Sequence, residues 1–85
     1  MLTTDFSGTY DYEREEAEHA ADSILEDLAC GYITPDELPD RMNRELAHWN
    51  KCLPDTFDDF LRHFNAAMEK GKDSAIASYR QIEGA

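Results

Sequence analysis

The sequence predicts an all-α fold, a compact bundle of about four short helices behind a short extended N-terminal arm. Three observations predict it. Apolar residues recur at 4-3-4 spacing in several stretches, which is the period of a helix face and not the alternation of a strand. Helix start and stop signals punctuate those stretches at Gly31, Thr34-Pro35, Pro54 and Gly71. The segments between them are short, about 3–6 residues, which favours antiparallel packing of sequential neighbours.

Residues 1–9 are rich in Thr and Ser, with Leu2 and Phe6 as apolar anchors and Gly8 as a break, and read as an extended arm. The first helix runs from about Tyr10 to Cys30 and stops at Gly31, a residue suited to a left-handed cap. Its inner stripe is Ala17, Ala21, Ile24 and Leu28, flanked by Ala20 and Leu25. Next comes Thr34-Pro35-Asp36-Glu37, a capping box with Thr34 as N-cap, Pro35 at the first helical position and Glu37 at the third. Ile33 and Leu38 occupy the positions of a hydrophobic staple. Pro39 lacks the N–H a continuing helix wants, so a single turn followed by a kink or restart is expected. The second helix then continues to about Lys51, with Met42, Leu46, Trp49 and Leu53 turned inward. Pro54 ends it and opens a third helix, where Asp55, Asp58 and Asp59 suit the positive N-terminal dipole. Phe57, Phe60, Leu61, Phe64, Ala67 and Met68 form the strongest apolar stripe of the chain, closed by Lys70 and Gly71. Asp73 then caps a short fourth helix with Ala75, Ile76, Tyr79 and Ile82 inside.

The length fits one domain, residues 1–85, and a hydrophobic content of 41% is too high for a disordered acidic tail. No apolar run approaches the ~20 residues that span a bilayer. The stretch Met1–Asp5 has neither the basic nor the apolar region of a secretory signal, so a cytoplasmic protein is expected. Cys30 and Cys52 sit near the C-terminal ends of two antiparallel helices, roughly 20–25 Å apart at about 1.5 Å per residue. A disulfide needs Cα atoms within about 7 Å, so both are expected as free thiols.

Charge is the feature that bears on function. The net charge is −11, and it is unevenly placed. Residues 1–42 carry twelve acids against Arg14 and Arg41, while residues 43–85 carry seven acids against six bases. On a helical wheel Asp11, Glu15, Glu18, Asp22 and Glu26 share the face opposite the apolar stripe, and Glu16 and Asp27 fall on one flank. Ordinary exposed helices interleave Lys with Glu at i,i+4, whereas Asp11–Glu15, Glu18–Asp22 and Asp22–Glu26 are like-charge pairs, each destabilising by a few tenths of a kcal/mol. Eight carboxylates between Asp11 and Asp27 make one charge per ~3 Å of helix axis. One DNA strand carries a phosphate per ~3.4 Å. Such a ridge repels nucleic acid and membrane surfaces and attracts basic ones. Tyr10 and Tyr12 border it and suit an Arg-stacking anchor, or else pack the arm.

Other chemistries lack their signatures. His48/Cys52, Asp59/His63 and Glu15/His19 stand at i,i+4, each able to offer two metal ligands, but a structural zinc site wants four. Glu45-x-x-His48 echoes half of a di-iron helix signature, and there is no second copy. No nucleophile elbow or phosphate-binding glycine loop occurs. No catalytic residue, metal or cofactor is therefore assigned, and the chain is expected not to be an enzyme.

In size, acidity and helix content the chain is similar to the small inhibitors that phages and mobile elements use against restriction or CRISPR machinery, DNA mimics included. The resemblance is one of class, carries no binding residues over, and implies a host cytoplasmic setting. The expectation is thus a non-enzymatic acidic protein that binds a basic, nucleic-acid-handling protein or nucleoprotein complex. Its contact residues would be Tyr10, Asp11, Tyr12, Glu15, Glu16, Glu18, Asp22, Glu26 and Asp27, without binding of nucleic acid or membrane. The rival is a small helical structural or adaptor protein, homodimeric through an apolar surface, whose acid serves solubility alone.

Overall fold

Three α-helices and one 3₁₀ turn make up the computed structural model, which describes residues 12–84: α1 (Tyr12–Ala29), the turn (Pro35–Glu37), α2 (Leu38–Cys52) and α3 (Phe57–Gly84). The arm expected over residues 1–9 and the acidic-ridge residues Tyr10 and Asp11 lie outside the described residues. The fold is all-α, and no strand occurs among the described residues.

The expected third and fourth helices are one. α3 continues for 28 residues through Gly71, and Asp73 lies exposed inside it instead of capping a new start. Two facts account for this. A glycine inside a helix costs only about 1 kcal/mol relative to alanine, a weak stop when Glu69, Lys70 and Lys72 around it are good helix formers. And Gly71 has a packing reason to be glycine: a Cβ built there would lie 2.6 Å from Leu25 Cδ1 of α1. The missing side chain leaves room for the Leu25 side chain to lie against α3.

Leu25 meets Gly71, and farther along both chain segments Gly31 meets Ile82, so α1 and α3 run parallel. α2 runs back between them in sequence, with Arg41 near its start bonded to Asp27 near the end of α1. Trp49 near its end stacks on Phe60 near the start of α3. The core is built almost wholly by the parallel pair. α1 contributes Ala17, Ala20, Ala21, Ile24 and Leu28, and α3 contributes Phe60, Phe64, Met68 and Ala75. From α2 only Leu38 is buried. Met42, Leu46, Trp49 and Leu53 face the core as expected, yet remain half-buried. For Trp49 this corrects the expected burial: its indole N–H donates to Glu45 Oε2 at 2.9 Å near solvent, while one ring face covers Phe60 at a centroid distance of 5.0 Å. A buried indole would need a partner for that N–H inside the core.

The local signals form as read. Gly31 has φ +84°, and the Tyr32 N–H donates to Asp27 O at 2.8 Å while the Gly31 N–H donates to Leu28 O at 3.1 Å. That pair of bonds is a Schellman cap. The capping box is closed both ways: the Thr34 N–H donates to Glu37 Oε1 at 2.8 Å, and the Glu37 N–H donates to Thr34 Oγ1 at 3.3 Å. The expected single turn before Pro39 is the 3₁₀ turn, and α2 restarts directly from it. Thr34→Ala should remove one half of this box and cost about 1 kcal/mol. A thermal melt indistinguishable from that of the unaltered chain would show that the box carries no stability.

Candidate acidic interface

α1 is a rigid rod anchored on its inner side, and its outer side holds the charge. Between Glu13 and Asp27 it carries seven carboxylates over about 21 Å of axis against one base, Arg14. α2 carries two acids against three bases, and α3 five against four. Together α2 and α3 are neutral, so the field of the described residues is centred on α1.

Within α1 the acids are not equivalent. Glu18, Asp22 and Glu26 are exposed, and Glu15 and Glu16 are partly exposed. Glu15, Glu18, Asp22 and Glu26 keep to one stripe about 16 Å long. Glu15 Oε1 lies 3.8 Å from His19 Nε2, a pair in which the histidine bears charge only when protonated. Glu18, Asp22 and Glu26 form no ion pair among the described residues. Glu18 and Asp22 also border a cleft of about 500 Å³, whose far wall is Ala66, Ala67, Lys70 and Gly71 of α3. Asp27 is different. Its Oδ2 accepts from Arg41 Nη1 at 2.5 Å, with both side chains partly shielded, so this carboxylate ties α1 to α2. Half of the small basic content of the N-terminal half is used in that one joint. Tyr12 is 42% exposed beside the stripe; Tyr10 and Asp11 lie outside the described residues.

A further acidic group escaped the sequence reading. Asp36, Glu37 and Glu83 all act on Tyr79, whose phenol is raised above the ordinary tyrosine pKa first by desolvation and then by these carboxylates. They come from the 3₁₀ turn and the end of α3, more than forty residues apart, so no local pattern marks them. Tyr32, in the connection that leads to the turn, is the most exposed large hydrophobic side chain among the described residues, at 79%.

Of the two-residue metal motifs, Cys52 Sγ and His48 Nε2 lie 3.6 Å apart and Glu15 lies beside His19, whereas Asp59 Oδ1 accepts from Arg62 Nη2 at 3.3 Å and Glu45 accepts from the Trp49 indole. No group of three or more His, Cys, Asp or Glu side chains converges among the described residues. Cys30 and Cys52 are free and exposed. No helix among the described residues is long and apolar enough to cross a membrane. Comparison with protein-family models, with curated proteins and with solved structures finds no match.

Proposed function

We propose that the chain is a non-enzymatic inhibitor or modulator of a basic, nucleic-acid-handling protein or complex, and that α1 occupies the surface where that partner receives phosphates. One observation carries the reading. Glu15, Glu18, Asp22 and Glu26 stand in a single stripe on a helix pinned by its buried side, and Glu18, Asp22 and Glu26 form no ion pair among the described residues. Self-repelling acids at i,i+4 cost the free protein a little stability, and a basic groove would convert that cost into attraction. The rod is rigid before binding, so little ordering entropy opposes the contact. Tyr12 at the edge of the stripe supplies an aromatic face for an arginine.

The test is competition. The immobilised chain should retain DNA-binding proteins from a lysate, and double-stranded DNA or added salt should release them. Exposed charge pairs are screened over about 10 Å at 0.1 M salt. The chain itself should show no binding to DNA. Retained partners that neither DNA nor salt displaces would refute the phosphate-like role and favour an apolar contact.

A further inference from the structure

We propose that the groove between α2 and α3 receives an amphipathic helix of a partner protein, one with an aliphatic face and with Lys or Arg at one end. α2 buries only Leu38, so its seat on the parallel pair is incomplete. What remains is an open groove of about 620 Å³ with Leu38, Met42, Leu46, Met68 and Ile76 as its apolar walls. Along α3 it runs from Asn65 to Ile76, about 16 Å or roughly three helical turns. Both walls are helices, whose backbone groups are already bonded within themselves. An extended peptide would lay unpaired N–H and C=O groups against apolar side chains, whereas a helix satisfies its own backbone and presents only its apolar face. Met42 and Met68 suit such a guest, because an unbranched thioether side chain adapts to whatever apolar residue meets it.

Charge sets the sign of the guest's end. Asn65, Glu69, Lys72, Ile76, Tyr79 and Glu83 keep 4-3-4-3-4 spacing, so the α3 wall continues past Ile76 onto Tyr79 and Glu83. The facing wall starts at Pro35, the first residue of the turn that carries Asp36 and Glu37. Three carboxylates from two elements thus meet around Tyr79 at one end of the groove, and all of them act on its phenol. Arg80 beside Tyr79 offsets one of the three, and Arg41 is taken by Asp27. Within the groove Glu69 and Lys72, one turn apart, offset each other. The middle is therefore apolar and the end acidic. A second copy brings a charge of −11 to that end and is repelled, as are nucleic acid and anionic lipid. An aliphatic helix with a cationic end matches both parts. This assignment does not depend on what α1 binds.

The probe is a fluorescein-labelled synthetic peptide of about four helical turns, with Leu at i, i+3, i+4 and i+7, Gln on its outer face and Lys confined to one end. Fluorescence anisotropy against the full chain, in about 0.1 M salt to screen distant charges, should show saturable binding. A scrambled peptide of the same composition should bind about tenfold more weakly. In methionine-methyl NMR spectra the Met42 and Met68 signals should shift as the helical peptide is added, a readout that needs no variant. Leu46→Lys puts a charge on a half-buried wall position and should weaken binding at least about tenfold, with unchanged helical circular dichroism. Position is tested at equal charge. Asp36→Asn/Glu37→Gln/Glu83→Gln neutralises the groove end, and Gln still closes the capping box, so binding should weaken about tenfold. Glu15→Gln/Glu18→Gln/Asp22→Asn removes the same charge from α1 and should change binding by less than about twofold. Binding absent up to the millimolar range, a scrambled peptide bound as tightly, methionine signals that stay still, or an α1 variant that loses as much as the groove-end variant overturns the proposal.

Discussion

Phe64→Ala should unfold most of the population at physiological temperature. Phe64 and its neighbour Phe60 are fully buried, their rings 6.0 Å apart and inclined by 14°, and with Ile24 and Leu28 they are the largest fully buried side chains. Truncating such a ring costs about 3–5 kcal/mol through lost transfer energy and the cavity left behind. Domains are stable by about 0.05–0.15 kcal/mol per residue, so that loss is of the same order as the whole stability of a chain this short. Relaxation offers little relief, because three of the five buried residues of α1, Ala17, Ala20 and Ala21, have side chains too short to move into a cavity. The melting temperature should fall by roughly 15 °C or more on that basis. Tyr32→Ala, at the most exposed aromatic position among the described residues, is the control and should stay within about 0.5 kcal/mol. A Phe64→Ala melt as high as that of the control would mean that the core does not lie where α1 and α3 meet.

The second large effect concerns binding and leaves the fold alone. Replacing Glu15, Glu18, Asp22 and Glu26 together by Lys changes four side chains, none of them buried. Helical content should therefore survive, the more so because Lys is a good helix former. Each reversal removes an exposed attraction of about 0.5 kcal/mol and adds a comparable repulsion, so four amount to about 4 kcal/mol, or a thousandfold in affinity for a basic partner. Asp27 is left out of this set by design. Reversing it would place two cations side by side at the Arg41 joint and mix a folding defect with a binding defect. The measurement is affinity for the DNA-displaceable partner, read beside circular dichroism. An unchanged affinity in a folded variant would end the phosphate-mimic reading.

What could be read from the sequence was local. The Thr34–Glu37 box and the Gly31 cap are closed by residues within five positions of one another, so their spacing alone specifies them. The α1 stripe was equally legible, because burial follows helical period on an isolated amphipathic helix. Gly71 misled because glycine has two uses, as a terminator and as a point of close approach, and only the position of Leu25 decides between them. A signal for the continuous helix was nonetheless present: Phe57, Leu61, Phe64, Met68, Gly71 and Ala75 keep 4-3-4-3-4 spacing across the glycine with no break in phase. The shallow seat of α2 had no such signal, since its apolar positions are periodic whether or not a neighbour covers them. In the acidic site the exposed stripe was legible, whereas the use of Asp27 by Arg41, fourteen residues away, was not.

The parallel pairing of α1 and α3 also determines how the chain must fold. Helical proteins usually gain speed from contacts between sequence neighbours. Here the core-forming partners are remote: Leu25 and Gly71 are 46 positions apart, and the only buried residue between the two helices is Leu38. No two consecutive helices can make the core by themselves. A wide loop, containing the whole of α2, has to close before burial rewards it, and that closure carries an entropy cost growing as the logarithm of its length. The barrier to folding therefore lies in the search that brings the two ends of the chain together, so an all-helical sequence takes on the non-local folding problem of a β-protein.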